Sequence, residues 1–201
     1  MKNKKQTRDE DLEFVSLCQA GDVDAFEALV RRHQKRMLNV AYRIVGNYDE
    51  ACEVVQDAFV AAYKSIASFQ RKAKFSTWLC TIVINLSRNR LKQLKTRHYR
   101  EGYSTDDTII TPDGEIRGEY SSNEPSVLER LEERDIQHTV QGCINTLDPE
   151  FKAVLVLRDI QGFSYDEISD MLKVPEGTVK SRLFRAREAM RDCLRSVMGG
   201  R

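Results

Sequence analysis

The residues best suited to recognition chemistry lie toward the C-terminal end. Lys180, Ser181, Phe184 and Arg185 turn to one side of a helix at about 100° per residue, while Val179, Leu183, Ala186 and Met190 turn to the other. A purely structural helix has no reason to expose an aromatic there. Two cations, a hydroxyl and an aromatic on one outward face look like a recognition surface that can neutralise phosphate and bond base edges. A second set stands in the middle of the chain, where Gln70-Arg71-Lys72-Ala73-Lys74 precedes Trp78, Thr81, Asn85 and Arg88 at spacings of three and four. Basic side chains around an aromatic on one helix face suit a polyanionic partner such as nucleic acid. Trp78 also fits an ordinary core stripe.

Nothing comparable points to catalysis. His33, His98 and His138 have no acidic or cysteine neighbours at ligand spacing, no glycine-rich phosphate loop is present, and no nucleophile has a histidine partner. The sequence reads as a non-enzyme with no metal and no cofactor. Its five cysteines (Cys18, Cys52, Cys80, Cys143, Cys193) are odd in number, far apart and never in a C-x-x-C pair. Neither a disulfide framework nor a zinc site is expected, and each cysteine reads as a small buried or half-buried apolar residue.

The elements that position these side chains are helical throughout. No stretch alternates apolar and polar residues as a half-buried strand does, so the expected fold class is all-α. Residues 11–20 form a short helix ended by Gly21. Phe26, Leu29, Val30, His33, Met37, Ala41 and Ile44 mark one face of a longer helix stopped at Gly46. Asp49 is placed to cap the next, whose stripe is Val54, Val55, Ala58, Phe59, Ala62, Tyr63 and Ile66, with Glu50, Glu53, Gln56 and Asp57 on its outer surface. Ser76 is placed to cap a fourth through Trp78, Leu79, Ile82, Val83 and Leu86. Residues 96–124 are poor in apolar side chains and hold Pro112, Gly114, Gly118 and Ser121-Ser122, the composition of a flexible tether between two small helical domains.

Beyond the tether, Asp148 and Pro149 open a helix through Phe151, Val154, Leu155 and Ile160, ended by Gly162. Ser164 and Glu167 make a capping box, and Phe163 and Ile168 are spaced as a hydrophobic staple, which predicts a helix over 165–172. Pro175-Glu176-Gly177-Thr178 launches the next. Two helices joined by a tight turn, the second basic and outward-facing, form a helix-turn-helix, whose second helix fits the DNA major groove. Arg187, Arg191 and Arg195 are placed to lie along phosphates. The bland alternative is an amphipathic helix pair with an incidentally basic surface.

At 41% apolar residues over 201 positions, the chain has enough to build cores. No run approaches the roughly 20 apolar residues of a membrane span, and residues 1–10 are charged where a signal peptide is apolar. A cytoplasmic protein without membrane insertion is expected. The net charge of +1 conceals blocks: residues 68–100 carry nine Lys or Arg and no acid, while 101–135 carry eleven acids against three bases. An acid-free block of that length is better explained by a nucleic-acid partner than by a solvated face.

Pro175-Glu176-Gly177-Thr178-Val179-Lys180-Ser181-Arg182-Leu183-Phe184-Arg185-Ala186-Arg187-Glu188 resembles region 4 of the extracytoplasmic-function, or group IV, sigma factors. Glu50-Ala51-Cys52-Glu53-Val54-Val55-Gln56-Asp57-Ala58-Phe59 and Phe75-Ser76-Thr77-Trp78-Leu79 resemble the same family's region 2, in the expected order. The resemblance implies a sigma-E-like bacterial transcription initiation factor that binds RNA polymerase core, recognises minus-ten and minus-thirty-five promoter elements, assists melting and has an anti-sigma partner. It puts region 2 at 1–97, a linker at 98–130 and region 4 at 131–201. The family's clamp-binding helix maps onto 49–66, which makes Glu53, Gln56, Asp57 and Phe59 the polymerase-binding candidates; an ordinary solvated acidic face is the alternative. The loop 69–74 matches the one that captures a flipped minus-ten base, so Arg71, Lys72, Lys74, Asn85 and Arg88 are DNA-binding candidates there. Lys180, Ser181, Phe184 and Arg185 are those for the minus-thirty-five element.

The chain departs from the pattern at Lys173, where such turns commonly place Gly, and at Lys180, where close relatives often carry Arg. Residues 1–10 and the linker acquire no individual roles. Two rivals stand beside this reading. An autonomous dimeric helix-turn-helix regulator leaves residues 68–100 unexplained, and an RNA-binding adaptor lacks any RNA-recognition signature.

Overall fold

The computed structural model describes residues 11–101 and 127–199. Every regular element among them is helical: α1 (Leu12–Gln19), α2 (Val23–Val45), α3 (Tyr48–Ser65) with a 3₁₀ turn (Ile66–Ser68), α4 (Phe75–Glu101), α5 (Val127–Thr146), α6 (Pro149–Leu155), α7 (Tyr165–Leu172) and α8 (Glu176–Met198).

In the N-terminal unit α2, α3 and α4 pack pairwise, and α1 lies on α2. The apolar stripes meet in a core whose fully buried members include Leu29, Met37, Ile44, Phe75, Leu79 and Ile84. Local chemistry sets the ends. Gly46 takes φ 82°, a left-handed value that strains any residue with a Cβ. Asn47, not Asp49, caps α3: its side chain accepts the Glu50 N–H at 3.0 Å, while Asp49 sits in the first turn, where its charge suits the helix dipole. α4 starts two residues earlier than a Ser76 cap requires, so Ser76 lies inside its first turn. Tyr63, expected in the α3 stripe, is 47% exposed.

His33 does have an acidic neighbour, supplied by the start of α1. Its Nε2 lies 2.8 Å from Asp11 Oδ2, and Arg32 donates to the other Asp11 oxygen at 3.0 Å. Burial pushes the Asp11 carboxyl up, but the hydrogen bonds and positive charge of His33 and Arg32 outweigh it, leaving the group below its ordinary value. Spacing could not show this pair, because the partners lie on different helices.

In the C-terminal unit α6 and α8 pack closely, α7 and α5 flank α8, and Ile144, Leu157, Ile168 and Leu183 are fully buried. After Leu155 the chain widens into a π-helical turn, Val156–Ile160, before Gly162 at φ 76° ends it. α5 is an element the sequence pattern did not announce. Cys143 on α5 and Cys193 on α8 are joined by a disulfide, which corrects the expectation that all five cysteines are unpaired. Cys18, Cys52 and Cys80 are free, and burial pushes the Cys80 thiol up to about 12.

The two units touch. Arg36 of α2 donates to Gln161 Oε1 at 2.9 Å and lies over the Phe163 ring, and Arg43 donates to Gln141 Oε1 at 3.0 Å. A Cβ built on Gly46 would come within 2.6 Å of the Asn145 side chain. The buried apolar residues form one continuous cluster across both units. α4 and α5 extend into the stretch 98–130 read as linker, and the expected flexible part, 102–126, lies outside the described residues.

Candidate nucleic-acid interface

The helix-turn-helix is built by caps at each step. Ser164 accepts the Glu167 N–H at 3.2 Å while Glu167 accepts the Ser164 N–H at 2.8 Å, a complete capping box, and Phe163 and Ile168 on either side are buried. The turn then needs a left-handed residue. Lys173 supplies it at φ 54° with its N–H bonded to Ser169 O, and the Ser169 hydroxyl donates to Val174 O at 2.6 Å. Those bonds offset a conformation that a non-glycine residue adopts at a cost.

α8 follows with Val179, Leu183 and Ala186 buried, so its opposite face is fixed by the core. Lys180, Ser181, Phe184 and Arg185 are all exposed on that face, Phe184 by 65%. Their states differ. Lys180 is ion-paired with Glu176 and lies 5.4 Å from the Tyr165 ring centroid. The Glu176 hydrogen bond and charge hold the Lys180 ammonium above its ordinary value and the Glu176 carboxyl below its own. Ser181 donates back to Thr178 O at 3.0 Å. Arg185 has no acidic partner among the described residues. Arg187 is held by Asp159 through two bonds of 2.9 and 2.6 Å, and Arg191 by Glu188, while Arg195 is exposed.

In the N-terminal unit the loop before α4 turns at Arg71, which has φ 56°. Arg71, Lys72 and Lys74 are exposed. The loop is held from behind by Gln19, whose side chain donates to Ile66 O and Phe69 O at 3.0 Å each and accepts from Arg71 at 2.6 Å. Sequence reasoning missed Gln19, for it lies 50 residues from its partner at Phe69. Phe69 is buried and stacks on half-buried Trp78 at 4.7 Å between ring centroids, with Phe75 beneath. Trp78 thus belongs mainly to an aromatic cluster supporting the loop. Farther along α4, exposed Asn85 and half-buried Arg88 join Asn89, Lys92 and Lys95 in a groove of about 720 Å³, closed on one side by Pro149 and Glu150 of α6.

Of the four polymerase candidates on α3, Glu53, Gln56 and Asp57 reach the surface, whereas Phe59 is 8% exposed and packs edge-on to Phe26. Phe59 is a core residue, since its place in the helix points it at α2. Arg90 of α4 pairs with both Glu50 and Glu53, at 2.5 Å to the latter, and those bonds hold its guanidinium above the ordinary value. The open part of this face is Gln56 and Asp57 with exposed Val60 and Tyr63.

No group of three or more His, Cys, Asp or Glu among the described residues could hold a metal, and no helix there is long and apolar enough to cross a membrane. The family profile Sigma-70 region 2 matches residues 29–97, and Sigma-70, region 4 matches 137–190. The chain is 34% identical to the RNA polymerase sigma-H factor of Pseudomonas aeruginosa over 96% of its length and 97% of that protein's. It is 34% identical to the ECF RNA polymerase sigma factor SigW of Bacillus subtilis, covering 88% of this chain and 92% of that one. It is 35% identical to the ECF RNA polymerase sigma-E factor of Escherichia coli, covering 88% and 90%. The fold is shared with CnrH, solved with the cytosolic domain of CnrY, at TM-score 0.64, 24% identity and coverage of 92% and 97%. It is shared too with the sigma factor RpoE of Bartonella quintana, solved with the anti-sigma factor NepR, at TM-score 0.62, 23% identity and coverage of 86% and 98%.

Proposed function

Because the chain belongs to the extracytoplasmic-function sigma factors of RNA polymerase, transcription initiation factors that direct the enzyme to promoters, we propose a division of that work among its residues. Residues 1–97 bind core polymerase through Glu53, Gln56 and Asp57 and engage the minus-ten element through Arg71, Lys72, Lys74, Asn85 and Arg88. Residues 131–201 read the minus-thirty-five element through Lys180, Ser181, Phe184 and Arg185. The work is differential binding rather than covalent chemistry. An anti-sigma protein restrains the factor, a reading supported by the RpoE of Bartonella quintana having been solved in complex with the anti-sigma factor NepR, and it operates in the cytoplasm where polymerase is.

The observation that carries this reading is the outward face of α8, where Phe184 is 65% exposed between Lys180 and an Arg185 without an acidic partner. Arg185 is free to bond a guanine edge at two points, and Lys180 can exchange Glu176 for phosphate or a base. In the N-terminal unit, the loop that Gln19 holds offers three exposed cations beside the Phe69–Trp78 stack.

Two elements centred about 25 base pairs apart are about 85 Å apart along B-DNA at 3.4 Å per pair. The docked units must therefore separate for both to be read. The 25 residues of 102–126 have an extended reach of about 85 Å, enough to permit it. Run-off transcription with purified core polymerase on genomic fragments tests the reading. Fragment-specific transcripts are expected only when the chain is added, with weak duplex binding by the chain alone. Tight operator binding without core, and no specific transcripts with it, would favour the autonomous dimeric regulator.

A further inference from the structure

α8 spans 23 residues, yet its buried positions, Val179, Leu183 and Ala186, all lie in the first half. The second half leans on α5. Half-buried Met190 and Leu194 share an apolar groove with Val140 and Ile144, and the Cys143–Cys193 bond fastens the two helices, with Cα atoms 5.7 Å apart. That bond closes a loop, 50 residues in sequence separation, that contains α6, α7 and most of α8. Cys143 is 1% exposed, whereas Cys193 is half-buried and within reach of small reagents.

A protein that works beside RNA polymerase sits among cellular thiols, where lasting structural disulfides are rare and those that form are mostly transient or redox-sensing. We propose that Cys143 and Cys193 are a reversible thiol–disulfide pair that clips α5 to the second half of the recognition helix when oxidised and releases it when reduced. Only the compartment and the word recognition rest on the function proposed above.

The chemistry balances with a peroxide as oxidant. The Cys193 thiolate attacks the O–O bond of hydrogen peroxide, giving a sulfenic acid and one water after proton transfer; the Cys143 thiol then displaces the sulfenic hydroxyl as a second water. Two electrons and two protons leave the pair. In the reverse direction, a thiolate of a small dithiol attacks Cys193 Sγ, Cys143 departs as thiolate and is protonated, and the reagent's second thiol resolves the mixed disulfide. Reduction leaves the first half of α8 held by its buried residues and Arg187 by Asp159, and frees the end of the helix, which carries Arg191 and Arg195.

The test uses the full chain beside C143S and C193S. Each is equilibrated in glutathione buffers of stepped ratio, or treated with hydrogen peroxide and then dithiothreitol, and its thiols are counted by maleimide mass shift. Wild type should pass from five reactive thiols to three and back, with a midpoint inside the range of ratios that glutathione can span, and neither variant should lose a pair. Hydrogen exchange should quicken about tenfold or more on reduction over residues 190–198 and 136–146 and stay unchanged over 176–186. A pair that never oxidises, a bond that survives a hundredfold excess of reduced glutathione, or equal exchange in the two states would overturn the proposal. These readouts need no polymerase, so their failure leaves the sigma-factor reading intact, and a failed transcription assay leaves them intact.

Discussion

Lys152 is 3% exposed, and the hydrogen bond recorded for its ammonium is a long one, 3.5 Å to Asn145 O. No carboxylate pairs with it among the described residues. Burial, with a smaller contribution from Lys95 of α4, pulls its pKa from 10.5 to about 8. At 1.36 kcal/mol per pKa unit, keeping this charge costs the folded state about 3 kcal/mol near neutrality. Lys152→Met retains the stem and removes the charge, so the variant should be more stable than wild type by about 2 to 3 kcal/mol at pH 7. The sign with pH follows from linkage. Between about 8 and 10.5 the unfolded chain holds the proton that the folded chain has released, so the wild-type penalty is relieved as pH rises through that window. Urea denaturation of both proteins from pH 7 to 10.5 should show the gap closing toward zero. A gap independent of pH, or a variant less stable at pH 7, would refute the assignment of an uncompensated charge to this site.

Three further outcomes are expected. Arg185→Ala should lower transcription from promoters with an intact upstream element by the equivalent of about 1 to 3 kcal/mol, and Arg195→Ala by a smaller, sequence-independent amount; equal losses by the Arg185 variant on matched and scrambled templates would remove it from base reading. Replacing Arg71, Lys72 and Lys74 together with Ala should impair promoter opening, read by permanganate reactivity, while leaving affinity for core polymerase within about twofold, because these exposed side chains lie on the loop before α4 and none is on α3. Ser164→Ala should cost about 1 kcal/mol of stability in calorimetry, since it removes the acceptor for the Glu167 N–H while leaving the buried staple in place.

Much of the recognition unit was legible in the sequence because its determinants are local. The Ser164–Glu167 box, the Pro175 start and the phase of Val179, Leu183 and Ala186 act within one or two turns, and the structure has α7 over the residues they predict. Lys173 adopts the left-handed turn without being glycine because two bonds around Ser169 hold it there. What escaped was non-local or weakly patterned. α5 exposes residues 134–138, so its first half carries no stripe to read. Cys143 and Cys193 meet only once α5 has folded against α8, and Gln19 meets its loop with all of α2 and α3 intervening in sequence. Phe59 and Tyr63 were grouped in one stripe, yet a four-residue step along an imperfect helical period puts one in the core and the other 47% in solvent.

The seam between the units has an unusual electrical character. Arg36 and Arg43 meet neutral amide oxygens of Gln161 and Gln141, and burial pulls the Arg43 guanidinium down. Contacts of that kind carry little long-range Coulomb attraction for mobile ions to screen, so raising ionic strength leaves the docked form nearly as firm as before. On the proposed roles of Arg185, Lys180 and the 71–74 cations, capture of promoter DNA would release counterions and weaken steeply over the same range. On that division the ionic medium would set how tightly an open molecule holds DNA while leaving the seam between the units nearly untouched.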